Sequence, residues 1–266
     1  MKTTKIEWTE ATWNPSIGCT KKTAGCKNCY AEIMARRLQG IGVPGYENGF
    51  EFKVLPERLQ QPATIKKPTK FFVNSMSDLF HEKMPFSYLD KVFETIKNTP
   101  QHHYQILTKR EKKLQKYFEK RTVPSNVWLG VTVENASTKH RIDVLRNIEA
   151  SVRFISVEPL IGDVGELDLS EIHWVIVGGE SGISARPMNP EWAINVQKQC
   201  AEQDVAFFFK QWGTWGEDGV KRNKKENGNI LQGKVWKEEP PILQKYQTRT
   251  IVTKKRIKSK VNLQKF

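Results

Sequence analysis

Seven short apolar runs recur along the first 211 residues, and six of them end in a cluster of polar residues. The first is poorly bounded and lies within Ile6 to Ile17. The others are Lys70–Asn74, Tyr104–Thr108, Val127–Val133, Arg153–Val157, Trp174–Val177 and Ala206–Lys210. They are rich in β-branched and aromatic residues, as expected of strands covered on both faces. Helical spacing follows most of them. Leu89, Val92, Phe93 and Ile96 fall at i, i+3, i+4 and i+7 behind Pro85. Leu114, Tyr117 and Phe118 mark the apolar side of a basic helix, and Ile142, Leu145 and Ile148 that of another. Asn189 as N-cap and Pro190 in the first turn open a further helix, with Ala193, Val196 and Cys200 on its apolar face.

Strands alternating with helices imply right-handed βαβ units and a parallel sheet. The expected fold class is α/β: a parallel (β/α) barrel, full or partial, of six to seven strands. A doubly wound open sheet is the alternative. The barrel is expected over residues 1–215, followed by a basic, partly flexible C-terminal extension over 216–266. In such a barrel the C-terminal strand ends converge on one mouth, where active sites are built. Those ends supply Ser75, Ser77 and Asp78, then Lys109 and Arg110, then Glu134, then Glu158, then Gly178, Gly179 and Glu180, then Lys210 and Gln211. Lys109 or Arg110 suits a carboxylate or phosphate. Glu134 and Glu158 suit ribose hydroxyls or a substrate.

Three of the four cysteines fall within eleven residues, as Cys19-x6-Cys26-x2-Cys29. That clustering differs from a disulfide framework and points to a metal site or to catalysis in a reducing compartment. A structural zinc site wants four ligands. The fourth would have to come from a distant residue such as His81, His102 or His103, none of them at zinc-finger spacing. A [4Fe–4S] cluster normally takes four thiolates, so three leave one iron open to a small molecule. The fourth cysteine, Cys200, reads as a buried, inert thiol.

The formal net charge is +14. Eight Lys or Arg residues and no acid lie between Lys245 and Phe266, which leaves +6 to the other 244 residues. A basic body with a basic tail suits a polyanionic partner held by phosphate neutralisation, although a charge run of this kind can also be merely solvated. No run approaches the ~18 apolar residues of a membrane span. The N-terminus lacks the apolar core of a secretory signal. The expected compartment is the cytoplasm, with no membrane partner.

Three clustered cysteines after a first strand of an α/β barrel resemble the radical S-adenosylmethionine (SAM) superfamily. The commonest spacing there is C-x3-C-x2-C with an aromatic before the last cysteine. Here the first gap is six residues, Asn28 holds the aromatic's place, and Tyr30 follows the last cysteine. The superfamily's Gly-Gly-Glu element usually follows the second strand, whereas Gly178-Gly179-Glu180 follows the sixth. A more detailed resemblance is to a family of phage and prophage proteins of unknown function. It is carried by Trp13-Asn-Pro15, Cys26-x-x-Cys29-Tyr30-Ala, Asn74-Ser-Met-Ser-Asp-Leu-Phe80, Leu107-Thr-Lys-Arg110, Gly130-Val-Thr-Val-Glu134, Ser156-Val-Glu-Pro159 and Gly178-Gly-Glu-Ser181.

The resemblance implies a [4Fe–4S] cluster on Cys19, Cys26 and Cys29, with SAM as second cofactor. Tyr30, Ser75, Ser77, Asp78, Lys109, Arg110, Glu134, Glu158, Gly178, Gly179 and Glu180 would line the cofactor site. One electron from the cluster would cleave SAM, and the resulting 5′-deoxyadenosyl radical would take a hydrogen atom from the substrate. The partners implied are a nucleic acid, an electron donor and a possible second protein subunit. Spore photoproduct lyases, radical SAM enzymes that repair a thymine dimer, also end their motif in C-x-x-C-Tyr, which suggests DNA repair or modification. The alternative is a non-catalytic zinc- or cluster-bearing phage protein that binds nucleic acid or serves as a partner subunit.

Overall fold

The computed structural model describes residues 4–240 of the 266-residue chain. In chain order its elements are β1 (Ala11–Trp13), β2 (Ser16–Ile17), α1 (Tyr30–Gly40), β3 (Lys53–Val54), β4 (Lys70–Val73), α2 (Phe86–Lys97), β5 (His103–Thr108) and α3 (Glu111–Phe118). There follow β6 (Val127–Thr132), α4 (Arg141–Arg146), β7 (Val152–Val157), β8 (Trp174–Gly178), α5 (Pro190–Glu202), β9 (Ala206–Gln211), α6 (Lys224–Asn227), β10 (Ile230–Leu231) and β11 (Lys234–Val235).

Seven strands form one all-parallel sheet in the order β1-β4-β5-β6-β7-β8-β9. Among the described residues β1 and β9 do not pair, so the fold is a partial parallel barrel. The β9 edge is covered rather than left open. Phe209 N–H donates to Trp236 O at 3.0 Å, and Glu238 N–H to Phe207 O at 3.1 Å. A covered edge cannot recruit another strand.

Side chains alternate across each strand, and the two faces differ. Val73, Ile106, Leu129, Ile155, Val175 and Phe207 pack with residues of α2–α5 in the main core. Phe72, Trp128, Phe154, Trp174 and Phe208 form a second cluster on the helix-free face, plugged by Trp8. Following the same alternation toward the C-terminal ends, that inner face changes from aromatic to polar: Lys109, Thr132, Ser156, Gly178 and Lys210. Gly130 permits this packing, because a Cβ there would lie 2.4 Å from the Phe154 ring.

Six of the seven expected strands match within one residue, β1 lies inside the poorly bounded first run, and β2, β3, β10 and β11 are additional. Asn189 caps α5 as expected, its side chain accepting from Glu191 N–H at 3.0 Å. Cys200 is buried on that helix, and desolvation pushes its thiol pKa up to about 12. Helices and connections differ as well. Helix α1 follows the cysteines directly, where no helix was expected. No helix joins β7 to β8; residues 158–173 cross as a loop. Ile148 lies past the end of α4, though still buried. Among the described residues no helix is long and apolar enough to cross a membrane. The basic tail from Lys245 onward lies outside the described residues.

Candidate metal centre and barrel mouth

The cysteines ride on one loop laid against the C-terminal ends of the sheet, and four strand ends hold it there. Gly18 starts the loop with φ +73°, and a Cβ would lie 2.0 Å from Glu51 O, so only glycine fits. Gly18 N–H donates to Met76 O at 3.0 Å, and Ser77 Oγ donates to Gly18 O at 2.6 Å. Cys19 is thereby fixed beside the end of β4. From β5, Arg110 Nη2 donates to Thr20 O at 2.8 Å. From β6, Glu134 Oε1 accepts from Thr23 Oγ1 at 2.6 Å, and Gly25 packs so closely that a Cβ would lie 2.6 Å from Glu134 Cγ. Beyond β8, Glu180 Oε2 accepts from Asn28 Nδ2 at 2.9 Å, and the same amide reaches Ser184 O at 2.7 Å. Cys29 then serves as the N-cap residue of α1.

The carboxylates that secure this loop are themselves buried and neutralised. Glu134 pairs with Arg141 at 3.1 Å and faces Lys109 at 3.8 Å. Glu180 binds Arg186 through Nε at 2.9 Å and Nη2 at 2.5 Å. Burial would raise the Glu180 pKa, but the hydrogen bonds from Arg186 and Asn28 outweigh it and hold the carboxyl below its ordinary value. Asp78 spends both oxygens on the β5 end: Oδ1 accepts from Thr108 Oγ1 at 2.7 Å, Oδ2 from Lys109 N–H and Arg110 Nη1 at 3.0 Å each. Arg110 also meets Glu82 at 2.7 Å. It is a buried cation between two acids and the cysteine loop.

The remaining expected residues fall in the same region. Tyr30 hydroxyl donates to Ser75 O at 2.5 Å. Ser75 Oγ donates to Asn14 Oδ1 at 3.2 Å. Glu158 pairs with Lys210 at 2.6 Å, and Gly178 leaves it room, since a Cβ there would lie 3.3 Å from the Glu158 carboxyl carbon. Gly179 has a different reason: a Cβ would lie 1.9 Å from Trp212 O, so β8 and the turn after β9 can meet only through glycine. Thr23, Asn28, Arg141, Arg186 and Lys210 belong to this network without having been singled out as site residues. Lys210 was legible at a strand end; the others lie in loops or helices with no spacing signal.

All three loop cysteines are free and partly exposed. Desolvation and the Asp78 charge push the Cys19 thiol up to about 12, against the lowering effect of Arg110. Among the described residues no three His, Cys, Asp or Glu side chains gather closely enough for a single ion. The histidines have other work. His81 Nδ1 accepts from Lys83 N–H at 3.2 Å, so Nε2 carries the proton that Thr20 Oγ1 accepts at 3.0 Å. His102 Nε2 lies 3.1 Å from Pro62 O. His103 opens β5.

Three thiols on one loop are the donor chemistry that a cubane takes. A cubane binds each cysteine at a different iron, so its ligands need not converge on one point. Thr132 Oγ1, on the inner face below the loop, is buried with no hydrogen-bond partner among the described residues. An orphaned hydroxyl at the mouth suits a polar ligand.

A family model described as "Protein of unknown function (DUF5131)" matches residues 3–240. The chain belongs to this family. No curated protein matches it. Among solved structures, it is similar to spore photoproduct lyase complexed with dinucleoside spore photoproduct: 13% identity, TM-score 0.47, 76% of this chain and 63% of that one. A cysteine-to-serine mutant of that enzyme has 15% identity, TM-score 0.49, and coverages of 85% and 72%. A mutant with bound AdoMet and dinucleoside spore photoproduct has 13% identity, TM-score 0.46, and coverages of 66% and 57%. The chain thus spans under two thirds of the first of these.

Proposed function

We propose that the protein is a radical SAM-type enzyme that carries a [4Fe–4S] cluster on Cys19, Cys26 and Cys29 and acts on nucleic acid, in repair or modification. The observation that carries this reading is the fourfold fastening of one short, three-cysteine loop at the C-terminal mouth of a parallel half-barrel. When bound, the cluster and SAM would supply a carbon radical able to remove a hydrogen atom. The chain's own residues have separate tasks. Ser77, Arg110, Glu134 and Glu180 hold the loop rigid, which favours retention of a cluster with only three protein ligands. The Arg110 guanidinium, itself buried, offsets the negative charge that thiolates bring to a partly buried loop.

Thr132, Ser156, Glu158 and Lys210 offer hydroxyl, carboxylate and ammonium groups at the inner wall, where polar parts of SAM and substrate would be oriented. Tyr30, Ser75 and Lys109 complete that rim. The barrel over residues 1–215 would carry the chemistry. The basic extension over 216–266 would hold phosphate in a salt-sensitive manner.

Anaerobic reconstitution with iron and sulfide tests the reading. It predicts a brown protein with about four irons per chain, nucleic-acid affinity that weakens with salt, and 5′-deoxyadenosine on addition of dithionite and SAM. Cys29→Ser should lose both colour and product. A colourless protein with stoichiometric zinc and no response to SAM would overturn it.

A further inference from the structure

Helix α1 leaves the cysteine loop with an uncovered face. At 100° per residue, Tyr30, Ile33, Met34, Arg37 and Ile41 fall on one stripe. Ala31 and Ala35 are buried on another side, and Ala35 packs with Ile17, Tyr46 and Leu55. The stripe is solvent-facing: Tyr30 is 56% exposed, Ile33 44%, Met34 43% and Ile41 75%. Ile183, 90% exposed, stands on the neighbouring loop that Asn28 grips through Ser184 O. Scattered exposed apolar residues need no explanation, but an aligned group at the rim of a site does.

Two further features narrow the occupant. The surroundings are basic: Lys27, Arg36 and Arg37 are exposed, and among the described residues neither Lys27 nor Arg37 has an ion pair. Cys29 is also the N-cap of this helix, so whatever docks on its first turns lies against the proposed cluster. An apolar centre with a charged rim is the anatomy of a protein–protein contact, and small transient redox contacts bury less than ~1,200 Å². Apart from Tyr30 at its start, the apolar part of the stripe is aliphatic and offers nucleobases little stacking surface, unlike the aromatic platforms that bind single strands. The chain's own segment from Lys245 to Phe266 carries only positive charges and would be repelled by this rim.

We propose that this stripe is the docking surface for an acidic, one-electron carrier protein that reduces the cluster. Transfer is balanced: the carrier loses one electron and the oxidised cluster gains it, with no proton or group exchanged. The proposal rests on the cluster reading above, and its test separates the two. Ile33→Glu/Met34→Glu places like charge against an acidic partner at solvent-exposed helix positions, where glutamate is a good helix former. Val220→Glu, a residue 46% exposed in the loop before α6, is the control.

Reconstituted protein is mixed with photoreduced flavodoxin, and bleaching of the cluster is followed; dithionite reduces a parallel sample. Calorimetry reads flavodoxin affinity for the cluster-free chain at low salt. The expected result is a roughly tenfold or greater fall in flavodoxin-driven bleaching and in affinity for the double variant, with salt mimicking the loss in the parent. Dithionite bleaching stays unchanged, and Val220→Glu behaves as the parent. Equal flavodoxin rates and affinities in parent and double variant would overturn the proposal. So would a variant defect confined to nucleic-acid binding or to oligomeric state. No bleaching even with dithionite would instead remove the cluster reading on which the proposal depends.

Discussion

Asn28 donates a 2.9 Å hydrogen bond to Glu180, tying the residue before Cys29 to the carboxylate after the Gly178-Gly179 pair. Glu180 also receives Arg186. Glu180→Ala would strand a guanidinium and an amide together and is expected to destabilise the fold by about 2–4 kcal/mol. Asn28→Ala keeps the Glu180–Arg186 pair and should cost about 1 kcal/mol. Urea unfolding checks the order, and chelator-driven iron loss should be faster in both. Equal stability of Glu180→Ala and parent would contradict the clamp.

Arg110 is expected to be harder to replace than its exposed neighbours. Arg110→Met leaves Asp78 buried without its cation, at a cost of about 3–5 kcal/mol. Lys112→Met, at an exposed position on α3, should lie within about 0.5 kcal/mol of the parent. Thermal melts of the two variants make the comparison.

Acid should weaken the site through His81. Its desolvation and the nearby Arg110 hold its pKa down to about 4, against 6.5 in the unfolded chain. Between those values the unfolded state binds the extra proton, so stability falls as pH drops from 6.5 toward 4 and is fully present above 6.5. The loss is at most about 3 kcal/mol. Glu82, with its pKa lowered to about 2 while desolvation opposes the Arg110 hydrogen bond, adds to the loss only below pH 4.5. Melting temperatures from pH 7 to 4.5 should show a slope that His81→Gln flattens.

Two glycines should respond oppositely to alanine. At Gly179 the new Cβ would lie 1.9 Å from Trp212 O, backbone that cannot swing away, so a loss exceeding about 2 kcal/mol is expected. Gly40 ends α1 with nothing within 4 Å of an added Cβ, so Gly40→Ala should stabilise by about 0.5–1 kcal/mol. Chemical denaturation of both variants tests the contrast.

The sheet was legible because its strands are apolar runs whose helices keep a strict i, i+3, i+4 spacing. The polar strand ends were legible too, since each apolar run gives way to polar residues such as Lys109, Glu134 and Lys210. Helix α1 escaped notice because its buried side is built from small residues such as Ala31 and Ala35 while Ile33, Met34 and Ile41 face solvent. That reverses the pattern that ordinarily marks a helix. The partners of Glu134 and Glu180 were invisible for another reason. Thr23, Asn28, Arg141 and Arg186 meet them through tertiary contact, and the Thr23 and Asn28 contacts bridge 111 and 152 residues of chain. The Gly178-Gly179-Glu180 stretch is a strand end in the sequence, and nothing there separates its members. Gly179 serves close backbone approach, and Glu180 grips the cysteine loop.

The most direct test of the central claim is low-temperature electron paramagnetic resonance of the anaerobically reconstituted, dithionite-reduced protein, recorded before and after SAM is added. The account predicts the signal of a reduced [4Fe–4S] cluster whose shape changes with SAM, and its absence from each of Cys19→Ala, Cys26→Ala and Cys29→Ala. A protein that takes up no cluster, or one whose signal is indifferent to SAM, would contradict it.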